Sequence, residues 1–213
     1  MSTRYTLDVR NDSTQFQDLC VYQHAVDLGV PNALSLAWLT APAWPDTTVT
    51  FEWDLDYCFV WSAAGSLRPG VRFEARETWP ADPEGLTENQ VLFDYADGAY
   101  RFVPGKATGD PQLGSLYLDV LPSVPAGGAA VGIGLSHAAV FAATAQPDET
   151  LVFTPEPNYW LTAGAYAAGE VLDVEQIDDV VQLQYGGTSH LTAVLNADNT
   201  WTITTGKQAT TPA

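Results

Sequence analysis

The chain has 213 residues, enough for a full core in one all-β domain, and 46% of them are hydrophobic and 11% aromatic. Only 16% are charged, and the charge is one-sided: 26 acidic residues against 8 basic ones, a net −18, with Lys106 and Lys207 the only lysines. That balance excludes phosphate backbones and anionic lipid surfaces as partners, because both are gripped by clustered Lys and Arg.

The chain begins MSTRYTLDVRND, which has no apolar leader segment, and no run of about 18 uncharged apolar residues follows. The reading is a protein cytoplasmic as synthesised, with no signal peptide and no membrane span, leaving release by a non-standard route open. From there short alternating runs follow one another: YTLDV, LCVYQ, ALSLAWL, TVTFEWDLDYCFVW, VRFEA, VLFDY, AYRFV, SLYLDV, AVGIGL, LVFTP, NYWLT, VVQLQY, LTAVL and TWTIT. Turn signals such as NDST, APAWPD, RPG, PADPEG, ADG, PAGG and NADN separate them. Many β-branched or aromatic strands with Gly, Pro, Asn and Asp punctuation predict an all-β, single-domain antiparallel β-sandwich with little helix. It spans residues 1–205, followed by the polar C-terminal tail 206–213.

Two hairpins are legible: VLFDYADGAYRFV, turning at Asp97-Gly98, and LTAVLNADNTWTIT, turning at Asn196 to Asn199. The small apolar stretch AGGAAVGIGLSHAAVFAATA is read as a close-packed strand pair, with a strand entering a helix as the alternative. In TVTFEWDLDYCFVWSA, Val49, Phe51, Trp53, Leu55, Tyr57, Phe59 and Trp61 share one parity, so an extended chain points all of them to one side. A single strand over this row would span about 46 Å at roughly 3.3 Å per residue, beyond the usual strand. A bend is therefore expected near Asp54 to Asp56, with Thr50, Glu52 and Asp54 facing outward and the row lining the core.

Chemistry-bearing motifs are few. Gly134-Leu135-Ser136-His137-Ala138 approaches the nucleophile elbow G-x-S-x-G, but its last Gly is Ala and no parallel α/β pattern surrounds it, so a plain hairpin end is the better reading. His24, His137 and His190 lack metal-ligand spacing. Asp54-Leu55-Asp56 and the run from Gly169 to Asp179 lack the EF-hand spacing and read as solvated acidic faces. No catalytic residue, metal ligand or cofactor site is assigned. Cys20 and Cys58 lie in strand-like runs and are read as buried, reduced thiols.

Of the seven tryptophans, Trp38, Trp53 and Trp201 sit in alternating runs and are expected in the core. Trp44 in APAWPD, Trp79 in TWPAD and Trp160 in PEPNYW adjoin prolines and turns. With Tyr159, these three form the candidate ligand or interface set, because an indole on a loop can stack a ligand or anchor a partner. The alternative is that they cap the ends of the sandwich.

The words DLCVYQ, SLAWL, TVTFEW, DYCFVW, WPAD, GAYRF, VGIGLS, NYWLTAGAYAAGEVLD and LNADNTWTI together resemble the RhiA family, rhizosphere-expressed proteins of rhizobia and other bacteria. The resemblance implies quorum-sensing control and a plant-root setting, and it supplies no catalytic residues. With the low charge and few lysines, it leads to an expected non-catalytic structural or assembly subunit that self-associates as a homo-oligomer or polymer. The alternative is a glycan- or small-apolar-ligand-binding module using loop tryptophans.

Overall fold

In the computed structural model, which describes residues 4–25, 28 and 30–205, the chain is all-β and helix is marginal, represented by the 3-10 turn Val174–Gln176. The tail 206–213 lies outside the described residues. Among the described residues, seventeen strands form four sheets. Sheet I runs β17-β16-β1-β5, where β1 is Arg4–Asn11, β5 Thr47–Asp54, β16 His190–Leu195 and β17 Trp201–Thr205. Sheet II runs β15-β14-β2-β4: β2 is Gln17–Gln23, β4 Leu39–Ala43, β14 Tyr159–Gly164 and β15 Val181–Leu183. Sheet III runs β3-β12-β11-β6-β7: β3 is Leu34–Ser35, β6 Tyr57–Ser62, β7 Glu77–Ala81, β11 Ala130–Leu135 and β12 Ala138–Thr144. Sheet IV runs β13-β10-β8-β9: β8 is Gln90–Ala96, β9 Ala99–Val103, β10 Leu116–Val120 and β13 Glu149–Phe153.

The pairing is dominantly antiparallel, as expected, with two parallel exceptions, β1 on β16 and β8 on β10. Both predicted hairpins form. Asp97 and Gly98 adopt φ of 55° and 81° between Ala96 and Ala99, the two-residue turn whose twist matches paired strands. Asn199, at φ 62°, closes β16 onto β17. The small apolar stretch is a strand pair, β11 with β12, and its closeness is enforced by Gly132: a Cβ there would lie 1.9 Å from the Phe141 carbonyl oxygen.

The aromatic row breaks between β5 and β6, at Leu55 and Asp56, and the chain passes there from sheet I to sheet III. Phe51 and Trp53 are buried in the first half and Phe59 in the second, while Thr50 and Glu52 face outward. All of these rings belong to one continuous core that draws on every sheet. Sheets I and II meet through Tyr5, Trp38, Trp53, Tyr159 and Tyr185; sheets III and IV meet through Phe59, Trp61, Phe93, Tyr100 and Phe102.

Two smaller cores lie on the opposite faces of sheets II and III. Cys20 and Tyr22 point away from the main core and are covered by Leu172, while Cys58 and Val60 are covered by Phe73 and Val171. One segment serves both: it is fixed by bonds from Leu172 N–H to the Ser35 carbonyl and from Val171 N–H to the Val71 carbonyl, each within 2.9 Å. This second layer explains why LCVY and CFV are apolar at consecutive positions, since those strands are covered on both faces.

Candidate functional site

The four candidate residues do not converge. Trp44 stands at the β4–β5 turn and is 65% exposed. Trp79 lies on β7, an edge strand of sheet III, half-buried against the main core. Trp160 is on the outward face of sheet II, its ring 4.8 Å from that of His24. Tyr159 corrects the sequence reading most: it is 3% exposed and packs among Tyr5, Trp38, Trp53 and Tyr185, because it takes the inward parity of β14 while Trp160 takes the outward one. It is a core ring and cannot meet a ligand at the surface.

Trp44 has a partner that the sequence did not nominate. Phe16, 43% exposed in the β1–β2 loop, brings its ring 4.8 Å from the indole at an angle of 59°. The two loops are held together from beneath by Asn11, which is fully buried. Its Nδ2 donates to the Gln15 carbonyl at 2.9 Å and to the Ala43 carbonyl at 3.0 Å, while its Oδ1 accepts from Ser13 N–H at 3.0 Å and from Ser13 Oγ at 2.6 Å. The Asn11 carbonyl also accepts from Asp46 N–H at 2.7 Å. One side chain thus fixes both loops, and its polar atoms are bonded, as burial requires. Arg10 stands beside them, bonded to Asp12 and 4.0 Å from Asp46. NDSTQF reads as a turn in the sequence; only the fold shows that its Asn is buried and its Phe exposed.

A cleft of about 850 Å³ opens beside the passage from sheet I to sheet III and is lined by Asp56, Tyr57, Cys58, Pro80, Asp82, Glu84 and His137. Ser136 and His137, at φ 49° and 65°, form the two-residue turn of the β11–β12 hairpin, the hairpin end read from the sequence. Ser136 Oγ accepts from Asp54 N–H at 2.7 Å and donates to the Asp54 carbonyl at 3.0 Å, and Ser136 N–H donates to the Asp56 carbonyl at 3.0 Å. The hydroxyl therefore clasps the chain where it changes sheets and is not presented to a base. Burial pushes the Cys58 thiol up to about 11, so at neutral pH it is not a thiolate nucleophile. Burial raises the Cys20 thiol further, and both cysteines are free. Among the described residues no group of three or more His, Cys, Asp or Glu side chains is placed to hold a metal ion, and no helix is long and apolar enough to cross a membrane.

A third feature is an edge. Unpaired strands invite pairing with another chain unless prolines, charges or shortness blunt them. β4 and β7 carry Pro42 and Pro80; β3 and β15 have two and three residues; β5, β9 and β13 carry Glu52, Arg101 and Glu149. β17, Trp201–Thr205, has five residues with no proline and no charge. Among the described residues, β16 is the strand hydrogen-bonded to it.

Similarity to known proteins agrees with the words quoted above. The chain is 36% identical over 205 residues to Protein RhiA of Rhizobium leguminosarum bv. viciae, an alignment covering 94% of this chain and 86% of that protein. No solved structure matches it. The RhiA family model matches residues 2–206, nearly the whole sequence, and the chain belongs to the RhiA family.

Proposed function

We propose that this RhiA-family protein is a non-catalytic bacterial subunit that self-associates through β17. The carrying observation is that, among the described residues, β17 is an edge strand with none of the guards found on the other edges. Its lack of charge matters in a chain of net −18, where most surfaces of two copies repel. Two β17 strands running antiparallel present the same groups to each other, so the contact is self-complementary and closes as a dimer with two-fold symmetry. In that dimer the two copies of sheet I join into one continuous sheet, and larger assemblies add further contacts to this unit. The engagement of Ser136 and the suppressed ionisation of Cys58 support the non-catalytic part of the reading. Quorum-sensing control and a root-associated setting accompany the proposal through the family resemblance.

Sedimentation velocity tests the reading. Thr204 and Thr205 are exposed, so Thr204→Lys with Thr205→Lys adds the kind of guard other edges carry while leaving the core intact. Wild type is expected to sediment as a dimer or larger species and the double variant as a monomer. A wild-type monomer at all concentrations, or an unchanged oligomer in the variant, contradicts the proposal.

A second reading, a ligand-binding module, is favoured at one place, the Phe16–Trp44 pair, which is exposed yet fixed from below by Asn11.

A further inference from the structure

We propose that the Phe16–Trp44 pair is a binding platform for a neutral polysaccharide, with the Trp44 indole stacking on the C–H face of a pyranose ring; this rests on the binding-module reading. Three observations select that ligand. First, the rings stand proud: Trp44 is 65% exposed and Phe16 43%, and the 59° tilt lets Phe16 prop the indole obliquely. A small apolar molecule needs a concavity that buries most of its surface, and the cleft around Asp56 and His137 lies elsewhere. A pyranose needs one flat aromatic face and leaves its hydroxyls free. Second, charged groups of both signs stand on the neighbouring chain: Arg10 is bonded to Asp12 and lies 4.0 Å from Asp46, two residues past Trp44. Third, the net charge of −18 and the carboxylates of Asp12 and Asp46 repel an acidic polysaccharide but not a neutral one.

The buried Asn11 network gives the platform its rigidity. It ties the Phe16 loop to Ala43 and Asp46 on either side of Trp44, so the rings are positioned before a ligand arrives and little ordering is left for binding to impose.

Isothermal titration with cellohexaose, a neutral β-linked hexasaccharide, tests this, with hexagalacturonate as an acidic control of equal length. Wild type is expected to bind cellohexaose saturably and hexagalacturonate not at all. Trp44→Ala should weaken binding by about tenfold or more, Trp44→Phe should restore part of it, and Trp79→Ala should leave it unchanged. Absence of cellohexaose binding by wild type, or undiminished binding by Trp44→Ala, overturns the platform. Binding that is lost in Trp79→Ala or Trp160→Ala but kept in Trp44→Ala also overturns it, while sparing the binding-module reading. No binding, together with a smaller sedimenting species in Trp44→Ala, sinks both and marks Trp44 as a contact between copies.

Discussion

The two halves of the aromatic row end in unlike parts of the one core. Trp53, from the first half, is 2% exposed, and among the described residues its indole N–H has no hydrogen-bond partner; neither does the hydroxyl of Tyr159, whose ring lies 5.0 Å away. The two polar atoms are near enough for Trp53 to ease the ionisation of Tyr159, yet they fall short of hydrogen-bond geometry. Trp61, from the second half, is only half-buried, and its Nε1 donates to Glu77 Oε2 at 2.8 Å. The same carboxylate oxygen accepts from Phe102 N–H at 3.2 Å, tying β7 of sheet III to β9 of sheet IV. One alternating stretch thus feeds a sealed part of the core held by packing and a more open part pinned by a carboxylate. The difference teaches that parity in a sequence sets which way rings point, whereas neighbours decide how their polar edges are met.

Alkali should act most strongly, through phenols buried on both sides of the break in the row. Burial raises the phenols of Tyr159 and Tyr185 well above the ordinary range and pushes Tyr57 up to about 12. In the unfolded chain these groups lose their protons near pH 10. Between about pH 10 and 12 the unfolded state therefore binds fewer protons than the folded one, and stability falls as pH rises through that window. Phenolate absorbance from these buried groups should appear in one step with loss of the near-ultraviolet circular dichroism signal. Smooth titration with the fold intact would show that the core is open to water.

Trp53→Ala should be the costliest single substitution, about 3–5 kcal/mol, read from denaturant melts, because a large buried ring leaves a cavity. A harmless Trp53→Ala would reverse the reading of the row as a core wall. Glu77→Ala should cost about 1–3 kcal/mol, since it leaves the Trp61 and Phe102 donors without their acceptor. Its loss should exceed that of Tyr159→Phe, which removes an unpartnered hydroxyl and should change stability by less than about 1 kcal/mol in either direction. A large loss in Tyr159→Phe would mean that the hydroxyl is bonded in solution.

Local signals were the legible ones. Asp97-Gly98 announces its hairpin, and the length of the row between Val49 and Trp61 demands the break that falls at Leu55 and Asp56. Position along the chain says nothing about partners far away. Pairing of Thr6 with His190 in parallel, or of Tyr117 with Gln90, arises from tertiary packing and leaves no word in the sequence. The candidate sites follow the same rule. Trp44 was legible beside its prolines, but Phe16 required two distant turns to meet. TWTIT reads as an ordinary strand; only the sheet order shows that, among the described residues, it is an edge without proline or charge.

The central claim, pairing through β17, is tested most directly by hydrogen–deuterium exchange at low and high protein concentration. The account predicts that the amides of Trp201–Thr205 gain protection as concentration rises, while those of the guarded edges β4 and β7 do not change. Exchange at β17 that is independent of concentration, or protection that grows at another edge instead, would contradict it.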